Sequence, residues 1–434
     1  MKRLVIPLWF TLVVMLMSSA QAQLRIEITQ GVSSALPIAI VPFGGNELLP
    51  GDTLDQIVSA DLARSGRFNV LPASKQPARP QQLNEVNFEQ WRGGSSDNLV
   101  IGSISPAGAG RYEVNFQILD VYRGGPVAGY KLMAYATDPR AAAHQVADLI
   151  YQKLLGEPGA FNTRIVYVSS PRNAVKNKQY QLIVADSDGA NAQTILNSPE
   201  PIMSPAIAPD GLQVAYVSFE NRRQRIFIQN LATGQRRIIS DRPGINGAPA
   251  WSPDGRLLAA ALSSKGRQGT DIYLLNLQSN QWQQLTQGNA IDTEPSFSPD
   301  GRSIAFTSDR GGRPQIYVMN ASGGAAERLT YEGNYNARPR YSPDGRSIAL
   351  IHGENNRYTI GVLDLNTRAL RILTDGPLDE SPSFAPNGAM IIYASQYRGH
   401  SVLSTVSFDG RVKQRLEGEG DIREAAWSSL RPGS

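Results

Sequence analysis

The side chains that could support acid–base or metal chemistry are few and regularly placed. Four aspartates, Asp210, Asp254, Asp300 and Asp344, recur at intervals of 44 to 46 residues, each inside Pro-Asp-Gly. A ring of such carboxylates could hold a metal ion or share a proton. Pro-Asp-Gly is also turn chemistry: proline pre-sets φ at the first corner, aspartate accepts local backbone hydrogen bonds and glycine takes positive φ. The turn accounts for all four aspartates without catalysis. The three histidines, His144, His352 and His400, show no ligand spacing. His144 falls on an expected helix as a surface or partly packed residue, and no metal centre is expected. A serine hydrolase would need a Gly-x-Ser-x-Gly elbow, which the sequence lacks. Gly93-Gly94, Gly311-Gly312 and Gly323-Gly324 do not open a helix after a strand and read as loop tips, not phosphate cradles. Arg222, Arg223 and Arg225, with Arg236 and Arg237, flank a short strand and read as solvated hairpin charge, a minor contact with anionic groups being the alternative. No catalytic residue, cofactor or metal is assigned.

These turns belong to a longer repeat. Glu294-Pro-Ser-Phe-Ser-Pro-Asp-Gly301 has counterparts beginning at Ser204, Ala248, Arg338 and Ser381, the last with Asn387 in place of aspartate. A sixth copy opens at Glu424-Ala-Ala-Trp-Ser428 and is not completed. Each unit has an apolar strand before the turn and three after it, as in Ser303–Ser308, Pro314–Asn320 and Glu327–Thr330. Four strands in 43 to 46 residues is the pattern of a propeller blade. Arg164–Ser169, Tyr180–Ala185 and Thr194–Leu196 read as second, third and fourth strands that lack a first, and the orphan first strand is 424–428. Pairing 424–428 with 164–169 closes a six-bladed ring over 161–434 and removes the open edges of a linear array.

Ahead of the ring, residues 23–160 read as an α/β domain of ordinary size. Ile38–Val41 suits a buried strand; Asp52 is placed to cap a helix carrying Leu54, Ile57, Val58 and Leu62. Pro72–Gln90 reads as an exposed loop, and Tyr112–Leu119 with Tyr130–Tyr135 as paired strands. Asp138-Pro139 starts a helix whose buried stripe is Val146, Leu149, Ile150 and Leu154, with Gly156 as its stop. Residues 1–22 read as a signal peptide: Lys2-Arg3, an apolar run from Leu4 to Met17, then Ser18-Ser-Ala-Gln-Ala22. A membrane anchor is the rival, but the run falls short of the about 20 apolar residues a span requires. Without Lys2 and Arg3 the charges stand at 40 basic against 38 acidic, too even for a nucleic-acid binder. No cysteine is present, so neither a disulfide nor a cysteine-linked lipid is available. A soluble, exported protein without direct membrane insertion is expected.

What remains is surface. The segments leading into the innermost strands emerge on one face around the axis and carry Met203, Asn246, Gly247, Thr293, Glu294, Arg338, Asp379 and Glu380. Mixed polar side chains on a rigid ring suit protein recognition. For Thr293-Glu294, ordering the loop before Pro295 is the alternative to contact.

The arrangement resembles the TolB family, soluble periplasmic components of the Tol-Pal system of Gram-negative bacteria. The resemblance covers essentially the whole mature chain. Its specific pieces are Pro37-Ile-Ala-Ile-Val-Pro-Phe43, Ala60-Asp-Leu-Ala-Arg-Ser-Gly-Arg-Phe68, Pro201-Ile-Met-Ser-Pro205, Asn246-Gly-Ala-Pro249, Thr293-Glu-Pro295 and Leu378-Asp-Glu380. It implies no enzyme activity. It implies a propeller face that binds the lipoprotein Pal, by position through Met203, Asn246, Gly247, Ala248, Thr293, Glu294 and Glu380. It also implies a segment, Gln23, Leu24, Arg25, Ile26, Glu27, Ile28 and Thr29, that engages TolA of the inner-membrane complex. Outer-membrane integrity and constriction at division follow as expected roles, with colicins and other outer-membrane proteins as further partners. Ile245 stands where members often carry histidine, so no histidine contact or its pH dependence is carried over. The competing class is a periplasmic propeller enzyme acting on peptide or saccharide.

Overall fold

The computed structural model describes residues 25–30, 35–94, 96–171, 179–263, 268–418 and 420–431. The expected signal peptide and residues Gln23 and Leu24 lie outside the described residues. Among the described residues no helix is long and apolar enough to cross a membrane.

Alternation of side chains explains the N-terminal domain. Strands β2 (Leu36–Ile40), β3 (Phe68–Val70), β4 (Asn98–Pro106), β5 (Arg111–Asp120) and β6 (Gly125–Tyr135) form one sheet in the order β3-β2-β4-β5-β6. Ile38, Ile40 and Val100 join Phe116 and Ile118 in a core with α1 (Leu54–Arg64) and the long helix Pro139–Leu155. Ala39, Leu99 and Ile101 turn to the opposite face. There the short helix Phe88–Arg92 buries Trp91, with Leu71, Ala78 and Val86 beside it. The stretch expected as an exposed loop thus covers a sheet face that would otherwise meet water. A second expectation also changes: the cap of α1 is Thr53, bonded through its N–H to Gln56, while Asp52 pairs with Arg140 at 2.9 Å. Asp138 does cap the long helix, accepting from the Ala141 N–H, and Gly156 closes it at φ 78°.

The rest of the described chain forms six blades, each with its first strand at the axis. Blade 1 pairs Asp421–Trp427 with Arg164–Ser170, then Tyr180–Asp186 and Gln193–Ser198. Its axial strand comes from the far end of the chain, with Ile422 opposite Ser169 and Trp427 opposite Ile165. Blades 2 to 5 start at Ile202, Asn246, Asp292 and Tyr335. Blade 6 starts at Asp379 and gains a fifth strand, β1 (Arg25–Gln30), on its outer edge. The turns behave as their composition requires: Asp254, Asp300 and Asp344 each accept from a serine hydroxyl and a backbone N–H two residues on, with the following glycine at φ 70–71°.

The two domains meet on the turn side of the propeller through buried ions. Arg64 bonds Asp61 at 3.0 Å and Ser187 at 2.8 Å; Arg140 holds Asp188; Arg431 reaches Asp138 and Asp186. His144 is fully buried, not a surface residue, with Nδ1 2.6 Å from Asp61. The helix face that carries it packs on α1 and on blade 1, so its chain position alone did not reveal its environment.

Asp148 fixes the lead into blade 1, accepting the N–H groups of Phe161 and Asn162 at 2.7 and 3.0 Å. Burial pushes its carboxyl up to about 6, and those two N–H groups only partly offset the burial. A raised folded-state value stabilises the fold below the ordinary carboxylate range, and that stability is lost as pH rises through about 6. Between pH 4 and pH 7 the group should therefore cost about 2 kcal/mol. Asp148→Asn should flatten this part of the pH–stability profile in urea unfolding. Equal slopes in the two proteins would contradict the assignment.

Candidate functional site

The axial strands share a positional plan. At the first position blades 3 to 6 present an amide or carboxylate: Asn246, Asp292, Asn336 and Asp379, each buried (Asn336 sits one residue into its strand). Asn246, Asn336 and Asp379 pin the loops that precede them, whereas Asp292 holds the loop after the second strand of its blade. Asn246 accepts from the Ser240 hydroxyl and the Arg242 N–H and donates to carbonyls of Gln224, Arg242 and Gly244. Asn336 bonds Gln315 and the Glu332 carbonyl, Asp292 accepts from Arg310, and Asp379 accepts from Ser395.

Two residues further on, every axial strand is bulged. Ser204, Ala248, Glu294, Arg338, Ser381 and Glu424 have φ between 48° and 57°, and the pairing register shifts across each of them. Left-handed backbone costs a non-glycine residue about 1–2 kcal/mol. Bulges re-aim side chains, and here the re-aimed groups meet on the axis. Arg338 of blade 5 bonds Glu294 of blade 4 at 2.9 Å, Ser381 of blade 6, and both oxygens of Glu424 of blade 1 at 2.9 Å. Glu424 also accepts the Ser204 N–H of blade 2 at 3.2 Å. Blade 3 contributes Ala248, which has no group to add. Burial disfavours the Arg338 charge, but Glu424 and Glu294 outweigh it and hold the guanidinium above its usual range. Burial likewise acts against the Glu424 charge, and Arg338 reverses it, lowering the carboxyl.

The face where these strands begin is opposite the turns that touch the N-terminal domain, so it is left open. It carries exposed apolar side chains: Met203 at 38%, Ile245 at 46%, Ile291 at 51% and Tyr331 at 71%, with Tyr358 stacked edge-on to Tyr335. Of the residues expected to bind, Met203 is exposed, and Ala248, Thr293 and Glu380 are half-buried. Asn246 and Gly247 are buried, Asn246 as a pin. Glu294 faces the axis and also accepts from Thr307 and from the Arg338 N–H, the ordering role that the sequence left open. Sequence reading passed over Ile291, Tyr331 and Tyr358. A signal existed for the first: an apolar residue precedes the pin in Ile245-Asn246, Ile291-Asp292, Tyr335-Asn336 and Leu378-Asp379.

The other expected segment lies on the edge of blade 6. Arg25 pairs with Glu417 and Ile28 with Gln414, antiparallel, and Glu27 meets Arg415 at 3.3 Å. Exposed ion pairs add little; the attachment the structure describes is the antiparallel backbone pairing. The chemistry considered at the outset does not assemble: the turn aspartates sit on separate blades, each tied to its own turn. Asp61, His144 and Asp188 do approach one another, with ligand atoms within 4.8 Å, but Arg64 and Arg140 already occupy the two carboxylates.

Comparison with known proteins gives consistent matches. A family model for the TolB amino-terminal domain matches residues 24–127, and one for the TolB beta propeller domain matches residues 151–431. The Tol-Pal system protein TolB of Methylococcus capsulatus is 55% identical over 408 residues, 94% of each chain. That of Nitrosococcus oceani is 51% identical over 420 residues, 96% of each chain. The crystal structure of TolB from Acinetobacter baumannii superposes with a TM-score of 0.85 at 40% identity, covering 94% of this chain and 100% of that one.

The axial belt has a direct energetic test. Removing the shared cation leaves two largely but not fully buried carboxylates without their partner, so Arg338→Met should lose about 3 kcal/mol of unfolding free energy. Adding Glu294→Gln and Glu424→Gln to that variant should restore part of it. A loss below about 1 kcal/mol in the single variant, the surface-pair range, would contradict a buried belt.

Proposed function

The chain belongs to the TolB family of Tol-Pal system proteins, and from that premise we propose that it is a non-enzymatic periplasmic scaffold. On this reading the open propeller face binds the outer-membrane lipoprotein Pal, and the N-terminal segment engages TolA of the inner-membrane complex. The linkage serves outer-membrane integrity and constriction at division.

The observation that carries the reading is the open face itself: apolar side chains standing on a rigid ring of pinned strand starts. Met203, Ile245 and Ile291 supply apolar contact, with Thr293, Ala248 and Glu380 among them. Asn246, Gly247 and Glu294 act from below, fixing the loop and the bulge. A surface held in this way binds with little reorganisation, and less ordering entropy has to be offset. Interfaces of this kind draw most of their energy from a few central apolar anchors.

The second element is β1. A strand paired to a sheet edge through backbone bonds can leave and add to another sheet edge, because those bonds are largely independent of side-chain identity. Exchange of Arg25–Gln30 between blade 6 and TolA is the coupling proposed between the two partners. Periplasmic location follows from the expected signal peptide at 1–22.

Calorimetry tests both halves. Met203→Asp with Ile245→Asp should weaken Pal binding at least tenfold while the melting temperature stays unchanged, since both side chains are exposed. Unaltered affinity would remove the face assignment. Deleting residues 23–30 should abolish TolA binding and leave a folded propeller; retained TolA affinity would sink the exchange.

A further inference from the structure

Below the belt, the next ring of axial side chains is unequal. At the residue that resumes pairing after each bulge, blades 1, 2, 3, 4 and 6 carry Ala426, Ala206, Ala250, Ser296 and Ser383, whereas blade 5 carries Arg340. These small side chains leave a cavity of about 220 Å³ on the turn side of the belt, with Arg340 reaching into it. Among the described residues no carboxylate lies within 4.0 Å of its guanidinium. The protein acceptor it does have is the Pro339 carbonyl, 2.8 Å from Nη1. Glu294 and Glu424, the nearest acids, are engaged by Arg338. Burial lowers the affinity of the Arg340 guanidinium for its proton, and the neighbouring Arg338 charge adds to this.

The two blades flanking Arg340 supply its companions. Ser296 of blade 4 accepts the Tyr341 N–H at 3.4 Å, and Ser383 of blade 6 accepts the Trp427 N–H at 2.9 Å. A serine hydroxyl that accepts still has its own proton to donate. The ring between the two tiers is Pro205, Pro249, Pro295, Pro339 and Pro382 with Ala425, and proline offers no N–H. Arg338, Ser381 and Glu424 of the belt also line this space but are bonded to one another, and the Trp251 and Trp427 indoles donate elsewhere. The other polar groups facing it include the Arg340 guanidinium, bonded to a single backbone carbonyl, and the Ser296 and Ser383 hydroxyls.

We propose that Arg340, Ser296 and Ser383 form a carboxylate-binding site inside the propeller channel. A guanidinium matches a carboxylate with two parallel bonds, and the cavity has room for an acetate-sized anion or the end of an acidic side chain. The anion neutralises a half-buried cation that has no carboxylate partner among the described residues, so the site costs stability when empty.

The test uses acetate as the probe, against chloride at matched ionic strength, and reads the melting temperature of the mature chain. The wild type should show a saturable, acetate-specific rise. Arg340→Met should have a baseline melting temperature equal to or above wild type and need at least tenfold more acetate for the same rise. Ser296→Ala with Ser383→Ala should fold normally and bind several-fold more weakly, which keeps the test open if the arginine variant fails to fold. No acetate-specific effect in wild type, or equal effects in the variants, would overturn the site, as would a strongly destabilised but folded Arg340→Met. Repeating the Pal titration with and without acetate separates the sources. Competition identifies a carboxylate supplied by the partner, and independence identifies a free anion.

Discussion

The Arg338 guanidinium is the interaction around which the propeller is arranged. A closed ring of blades forces six strand starts onto one axis, where water is scarce and backbone groups crowd. Each strand enters through a left-handed bulge, which costs conformational energy six times over. The bulges recover part of that cost by aiming polar side chains at a common point. One cation there satisfies Glu294 and Glu424 and reaches Ser381, and Glu424 passes the connection on to Ser204. Five of the six blades are thereby tied through their axial strands. Buried charges stabilise little in absolute terms when compared with apolar packing, but leaving one unpaired is costly. The belt therefore enforces a single arrangement of blades more than it adds stability.

That constraint separates the two ends of the propeller. The turn end is committed to the N-terminal domain through Arg64, Arg140 and Arg431, and to the tail that brings blade 1 its axial strand. The strand-start end is rigid, because the buried amides and carboxylates at 246, 292, 336 and 379 hold the loops from inside, and it is uncovered. Strand β1 lies on blade 6, between blade 5, the source of Arg338, and blade 1, the source of Glu424. Any partner that shifts the axial strands would act on the sheet whose outer edge β1 occupies. In the proposed account this is the physical route between the two binding events.

The architecture was readable because the turn chemistry repeats. Pro-Asp-Gly with its period gave the blades, and the unfinished copy at Trp427 gave their number, since a ring has to account for every axial strand. The helix from Pro139 was legible from its cap and its stop. The candidate site was only half legible. Position around the axis follows from the period, but whether a side chain points out, in or along the axis depends on the bulge, which changes direction within three residues. Asn246 and Asp379 were thus indistinguishable in type from contact residues, although both are buried pins. Glu294 and Arg338 are 44 residues apart, and nothing local in either copy signals that they share a bond. His144 gave no hint of burial because the groups around it, Asp61 and Asp188, come from a different helix and a different domain.

Hydrogen–deuterium exchange with and without Pal addresses the central claim, that the uncovered face is a protein-binding surface. The account predicts new protection confined to the strand starts and their preceding loops, at 201–205, 244–248, 290–294 and 378–381, with the Pro-Asp-Gly turns at 252–256, 298–302 and 342–346 unchanged. Protection at the turns instead, or none on either end, would contradict it.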